Sequence, residues 1–199
     1  MNDTISLPAF LNSLRTATAA SHTALEALPI SESILKPDVT DLEYAHYLIL
    51  MRDVVSDAEQ NIFPILTSII PDIESRNKTQ HIKADLAALG AITEEAEKPL
   101  SESITDITVP FALGILYVIE GSSLGGRVIL KNINTVLGHD AESGAAYFSG
   151  YGGQTGSRWK SFLEILVNFE SENNNGTEII AGANFAFDAI HKHFSANVR

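Results

Sequence analysis

The chain has 199 residues, 45% hydrophobic and 19% charged, which fits a single globular domain able to bury a core and a small ligand. It has no cysteine, so disulfides, thiolate-held metals, iron–sulfur clusters and cysteine nucleophiles are excluded. A net charge of −12 argues against nucleic acid or an anionic membrane as a general partner. Met1-Asn2-Asp3-Thr4 has no basic region leading into an apolar run, so no signal peptide is expected. No run of about 18 apolar residues stands out as a transmembrane helix, and a cytoplasmic location is expected.

The first predicted helix carries Leu11, Leu14, Thr18, Ser21 and Leu25 as an inward stripe. His22 stands beside that stripe, so its imidazole is expected to face the interior. Arg15 lies seven residues earlier, nearly in line with His22 and about 10.5 Å along the axis. A histidine for a metal and an arginine for an anion, two turns apart, suit an iron porphyrin that carries carboxylates. A lone helical histidine, by contrast, more often serves the core or the surface.

Pro29 marks a stop, and a short segment over 31–35 follows. Thr40-Asp41-Leu42-Glu43 reads as a capping box. It opens a long helix through Tyr44, Tyr47, Leu48, Met51, Val54 and Val55 toward Phe63-Pro64. The stretch 83–89 continues helical and ends at Gly90, while 94–97 is acidic and solvated. Pro110 suits the first turn of a further helix.

That helix keeps apolar spacing through 116–130 although Gly121, Gly125 and Gly126 sit inside it. Each interior glycine costs a helix roughly 0.5–1 kcal/mol relative to alanine, so three need a reason. Gly121 and Gly125 are four apart and share a face. Backbone bared on one face suggests a planar ligand lying against it, or a second helix packed very close.

The loop Ser149-Gly150-Tyr151-Gly152-Gly153-Gln154-Thr155-Gly156 lacks the Lys-Ser/Thr ending of a phosphate loop and follows no strand, so nucleotide binding is not expected. Thr155 is placed to cap a helix carrying Trp159, Phe162, Leu166 and Phe169. Asn173-Asn174-Asn175-Gly176 reads as a turn, and a last helix runs from about Thr177 to His193 or beyond. The expected fold is all-α, compact and multi-helical, with 1–199 as one domain.

Two spacings suit a metal: Glu43 with His46, and Asp188 with His191. Di-iron helix bundles use such i, i+3 pairs, and a non-heme di-metal oxidase is the alternative they raise. Glu43 already completes the capping box, and His81, His139, His191 and His193 read as surface residues. The segment 121–163 has a positive balance, with Arg127, Lys131, Arg158 and Lys160 against Asp140 and Glu142.

Leu14-Arg15-x-Ala17-Thr18-x-x-x-His22-x-x-Leu25-Glu26 resembles the proximal helix of heme oxygenases, above all the bacterial biliverdin-producing ones associated with bacteriophytochromes. Asp85-Leu86-x-x-Leu89-Gly90 resembles the middle segment of that family. Leu116-Tyr117-Val118-Ile119-Glu120-Gly121-Ser122-Ser123-Leu124-Gly125-Gly126 resembles its distal helix. Gly150-Tyr151-Gly152 through Trp159 and Phe162 resembles its late loop and helix, and the likeness spans about residues 14–170.

The resemblance implies heme held between a proximal and a distal helix, as substrate and prosthetic group, with dioxygen as co-substrate. His22 would coordinate iron, and Glu26 would help hold it. Gly121 and Gly125 would let the distal backbone approach heme and steer attack to one meso carbon, with Gly126 permitting a bend. Arg15 would pair with a heme propionate, Arg158 is a looser candidate for the second, and Tyr117 would hydrogen-bond near the pocket. Mammalian-type enzymes carry an aspartate where this chain has Ser122, so the anchor of the distal water differs. The implied partners are an external electron donor (ferredoxin, flavodoxin or reductase) and, functionally, a bacteriophytochrome. A non-catalytic heme or tetrapyrrole carrier is the second alternative.

Overall fold

The helix expected to bear the glycines, α5 (Val109–Leu137), is the longest element of the computed structural model, which describes residues 8–92 and 94–197. Before it come α1 (Ala9–Glu26), α2 (Pro29–Ser33), α3 (Asp41–Asp57) and α4 (Thr79–Ala88). After it come α6 (Ala146–Ser149), α7 (Thr155–Asn173) and α8 (Gly176–Ala196). No strand beyond isolated bridges forms among the described residues. Met1-Asn2-Asp3-Thr4, where no leader is expected, lies outside them.

The local signals act where the sequence places them. Thr40 Oγ1 accepts from Glu43 N at 3.2 Å and Glu43 returns a carboxylate oxygen to Thr40 N at 2.9 Å, closing the capping box at the head of α3. Pro110 occupies the first turn of α5, and Gly90 takes φ +65° just beyond α4. Asn174, at φ 54°, turns the chain from α7 into α8.

The helix beginning at Asp41 does not reach Pro64 as one α-helix. It widens into a π-helical turn at Ala58–Ile62 and tightens into a 3-10 turn at Phe63–Leu66. Pro64 offers no N–H and its ring would clash one turn back. The side chain of Asp57, at the start of the π turn, accepts from Asn61 Nδ2 at 2.8 Å, Leu100 N at 2.7 Å and Ser101 N at 2.9 Å. Thr155 does not cap α7 from outside. It is the first helical residue, and its Oγ1 instead closes the preceding loop by donating to Gly152 O at 3.0 Å.

By length and apolar content α5 is able to cross a membrane, a stretch the sequence reading did not single out. Its N-terminal half lies in the core, where Ala112, Leu113, Ile115 and Leu116 are fully buried. The closest helix packing lies at α5 and α8, at glycines the sequence reading did not single out. A Cβ on Gly114 would run into the carbonyl oxygen of Ile179, and one on Gly182 into that of Phe111. Both helices therefore meet backbone to backbone. Gly114→Ala and Gly182→Ala are expected to lower stability by about 1–3 kcal/mol or more, because the obstruction is main chain and cannot rotate away. Thermal or denaturant unfolding of each variant against Gly90→Ala, whose added methyl meets nothing, measures the difference.

Candidate functional site

On α1, Leu11, Leu14 and Thr18 are buried as the stripe requires, whereas Ser21 and Leu25 are only half-buried. His22 is not interior: its side chain is 55% exposed. Its ring meets Phe187 of α8 edge-on at 5.6 Å between centroids, and its Nδ1 lies 3.5 Å from Glu26 Oε2. A carboxylate near Nδ1 favours a proton on that nitrogen. Nε2 is then the unprotonated atom, with no partner among the described residues, which is the arrangement a metal-binding imidazole uses.

Arg15 is exposed one face-repeat before His22. Tyr117, half-buried on α5, lies near enough to Arg15 and Thr18 for both to act on its phenol. Burial raises the Tyr117 phenol, and these two neighbours oppose the rise. α1 and α5 thus approach each other near Arg15, Thr18 and Tyr117. His22 follows one turn on along α1, and Gly121 and Gly125 follow one and two turns on along α5.

The three glycines of α5 do three different things. Gly125 is exposed, and a Cβ added there would meet nothing within 4 Å. At Gly121 it would touch the Trp159 ring at 3.6 Å, an ordinary contact. At Gly126 it would press on Phe148 O at 3.0 Å, so this glycine admits the backbone of α6 rather than a bend, and α5 runs on through it as one helix. The open backbone strip at Gly125, flanked by exposed Leu124 and Val128, is the cradle a flat group fits.

Behind that strip α5 carries a buried polar cluster that sequence reasoning missed. Glu120 accepts from Arg76 Nη1 at 2.5 Å and from Tyr151 Oη at 2.7 Å. Lys78 Nζ lies 2.5 Å from Ser123 Oγ, 3.7 Å from Glu120 and 4.3 Å from the centre of the Tyr151 ring. Burial pushes the Lys78 amine below its ordinary range. Tyr151, within the glycine-rich loop, was the one available signal. Asp85, from the middle motif, accepts from Ala146 N and Tyr147 N, both at 2.8 Å, and so pins α6 against α5.

Other expected site residues lie elsewhere. Arg158 donates to Ser75 O at 3.0 Å and Ser75 Oγ at 2.6 Å, and stacks on Tyr151 at 4.5 Å. Its donors hold the 72–76 turn. His193 is buried, with Nε2 3.2 Å from Asp53 Oδ2 and Nδ1 3.4 Å from Glu97 Oε2, and is not a surface residue. His139 is half-buried and lies 2.8 Å from Asp41 Oδ1. Glu43 is spent on Thr40 and Asp188 is exposed. No group of three or more His, Asp or Glu able to hold a metal ion occurs among the described residues.

The family model for heme oxygenase matches residues 8–196. The chain is 32% identical over 123 residues to heme oxygenase PigA of Pseudomonas aeruginosa, a match covering 62% of this chain and 61% of PigA. It thus spans about three fifths of that relative's length. It is 26% identical over 160 residues to a heme oxygenase of Xanthomonas campestris, covering 78% of this chain and 91% of that one. The NO- and CO-bound heme oxygenase of Neisseria meningitidis superposes with a TM-score of 0.76 at 26% identity, over 96% of this chain and 94% of that one. The Leptospira interrogans heme oxygenase (TM-score 0.72, 17% identity, 95% of this chain and all of that one) shares the fold. So does Synechocystis heme oxygenase-1, solved in complex with heme (TM-score 0.70, 20% identity, 95% and 92%).

The separate duties of the glycines are testable without any ligand. Gly126→Val is expected to lower the melting temperature by several degrees, because its methyls meet main chain. Gly125→Val should leave it within a few degrees of wild type. Circular dichroism melts of the two variants give the comparison.

Proposed function

Because the chain belongs to the heme oxygenase family, we propose that it binds heme as its substrate and opens it to biliverdin, releasing iron and carbon monoxide. Dioxygen is the co-substrate and electrons come from a separate donor. The observation that carries this reading is the meeting of Arg15, Thr18 and Tyr117, with His22 and the Gly125 strip in the turns that follow. In this reading heme lies between α1 and the glycine face of α5. His22 supplies Nε2 to the iron, and Glu26 holds the ring by Nδ1. Arg15 and Tyr117 bind a propionate, a cation and a phenol suited to a carboxylate. Gly125, with Gly121 beside it, keeps bulk away from one edge of the substrate and so selects the carbon attacked.

The donor is a second protein, since this chain has neither a flavin motif nor a cysteine-held cluster. A chain at −12 repels an acidic ferredoxin or flavodoxin except where cations gather. Of the four basic residues in the positive stretch, Arg158 is tied to Ser75 and Lys160 sits 3.8 Å from Glu164. Arg127, which donates to Gly152 O at 3.3 Å, and Lys131 are both exposed beside Leu124 (44% exposed) and Val128 (64%). We assign donor docking to that face. A cysteine-free chain suits a reducing, cytoplasmic setting, and a biliverdin-binding photoreceptor is the proposed user of the product.

His22→Ala is expected to abolish the imidazole-ligated absorption spectrum of the heme complex and most turnover, with both restored by added imidazole. A variant that keeps the wild-type spectrum with its helicity intact moves the ligand to another histidine. Donor-supported turnover should fall as salt shortens the reach of the charges to about 8 Å at 0.15 M, and charge reversal at Arg127 and Lys131 should slow it further. Ascorbate-supported turnover, measured alongside, should respond to neither.

A further inference from the structure

Tyr117, Gly121 and Gly125 follow one another at four-residue intervals along one side of α5. Of the three, Gly125 alone is bare. A Cβ built on Gly121 lies 3.6 Å from Cη2 and 3.9 Å from Cζ3 of Trp159, so the outer edge of the indole covers that glycine. The same ring packs against Tyr117, 5.5 Å between centroids and inclined by 42°. A Cβ on Gly125 meets nothing within 4 Å. The open strip begins where the indole ends.

Trp159 has little freedom to leave this position. It stands in the second turn of α7, directly after Arg158, whose guanidinium donates to Ser75 O at 3.0 Å and to Ser75 Oγ at 2.6 Å. Thr155, at the head of the helix, closes the preceding loop through Gly152 O at 3.0 Å. The fully buried Phe162, one turn on, lies 5.7 Å from the indole between ring centroids. The half-buried indole is thus packed on two rings and presents an edge toward the glycine side of α5.

A porphyrin is broader than the roughly 6 Å that four residues of helix rise. One laid on Gly125 therefore reaches the indole edge at Gly121 and goes no further toward the N-terminal end of α5. We infer that Trp159 is a specificity-determining residue, the stop against which the substrate ring is seated and which fixes the meso carbon that lies over Gly125. This rests on the heme-opening reading above. Ligation through one nitrogen of His22 leaves a ring free to turn in its own plane, and the long, exposed side chain of Arg15 is able to follow a carboxylate that moves. A packed aromatic edge with two torsions does not follow, and it is ordered at low entropic cost.

Trp159→Ala removes the stop and Trp159→Phe shortens it. In the cyanide complex of the ferric heme protein, the order of the heme-methyl proton shifts reports how the ring is turned in its plane. Wild type should give one predominant set of methyl resonances, and Trp159→Ala a second set or a different order. The ratio of the main biliverdin isomer to the others should fall about tenfold in that variant, the low end of what steric discrimination by a pocket supplies. Trp159→Phe should lie between the two. A wild-type isomer ratio in Trp159→Ala overturns the proposal whatever the rate, because a ring that serves only packing would slow turnover and leave the product unchanged. An unmoved methyl pattern overturns it as well. Should Trp159→Ala fail to fold by circular dichroism, Trp159→Phe decides alone by the same two readouts. Wild-type protein that binds no ferric heme overturns the heme-opening reading itself, a failure seen before any variant is made.

Discussion

Everything about the site hangs on the backbone crossing of α5 and α8 at Gly114 and Gly182. Without a Cβ at either position the two main chains come into direct contact, closer than the usual 8–10 Å between helix axes allows with larger side chains. α8 also carries Phe187, against which the His22 ring rests, and Gly176, whose bare Cα admits Phe10 of α1. One crossing therefore positions α5 and, through α8, positions α1. The separation of the imidazole from the glycine strip follows from one main-chain crossing and from the rings of Phe187 and Phe10 that seat α1 on α8.

α5 is polar on opposite sides for opposite reasons. Toward Arg76, Lys78 and Tyr151 it buries Glu120 in a cluster of charge-assisted hydrogen bonds. Such a group costs desolvation energy and is tolerable only when fully partnered; removing one member leaves a buried charge, typically at about 3–5 kcal/mol. Its consequence is rotational: a helix anchored at Glu120 and Ser123 cannot turn Gly125 away from the open side. Around Ser122 and Gly126 the helix is instead seated by α6, which Asp85 fixes through two N–H groups.

The proximal side is built more sparingly. Glu26 lies one turn beyond His22 on an exposed helix face, where such a pair contributes little to stability. Its effect is on which ring nitrogen carries the proton, and that is a chemical consequence rather than a structural one. In the proposed site the two sides would differ because α5 would present bare backbone at a defined angle, which needs heavy anchoring, whereas α1 would present only one nitrogen.

The all-α class, the capping box at Thr40 and the stops at Gly90 and Asn174 were legible in the sequence. They depend on spacing and on residues within one or two turns. The face shared by Gly121 and Gly125 was legible for the same reason. The tertiary structure alone decided that Gly114 and Gly182 form the tight crossing, that Gly126 serves α6, and that Arg158 holds Ser75. It likewise buried His193 between Asp53 and Glu97 and brought Lys78 and Arg76 under α5. Each of these depends on partners 22 to 140 residues away, and no periodicity along one helix encodes what another helix will press against it.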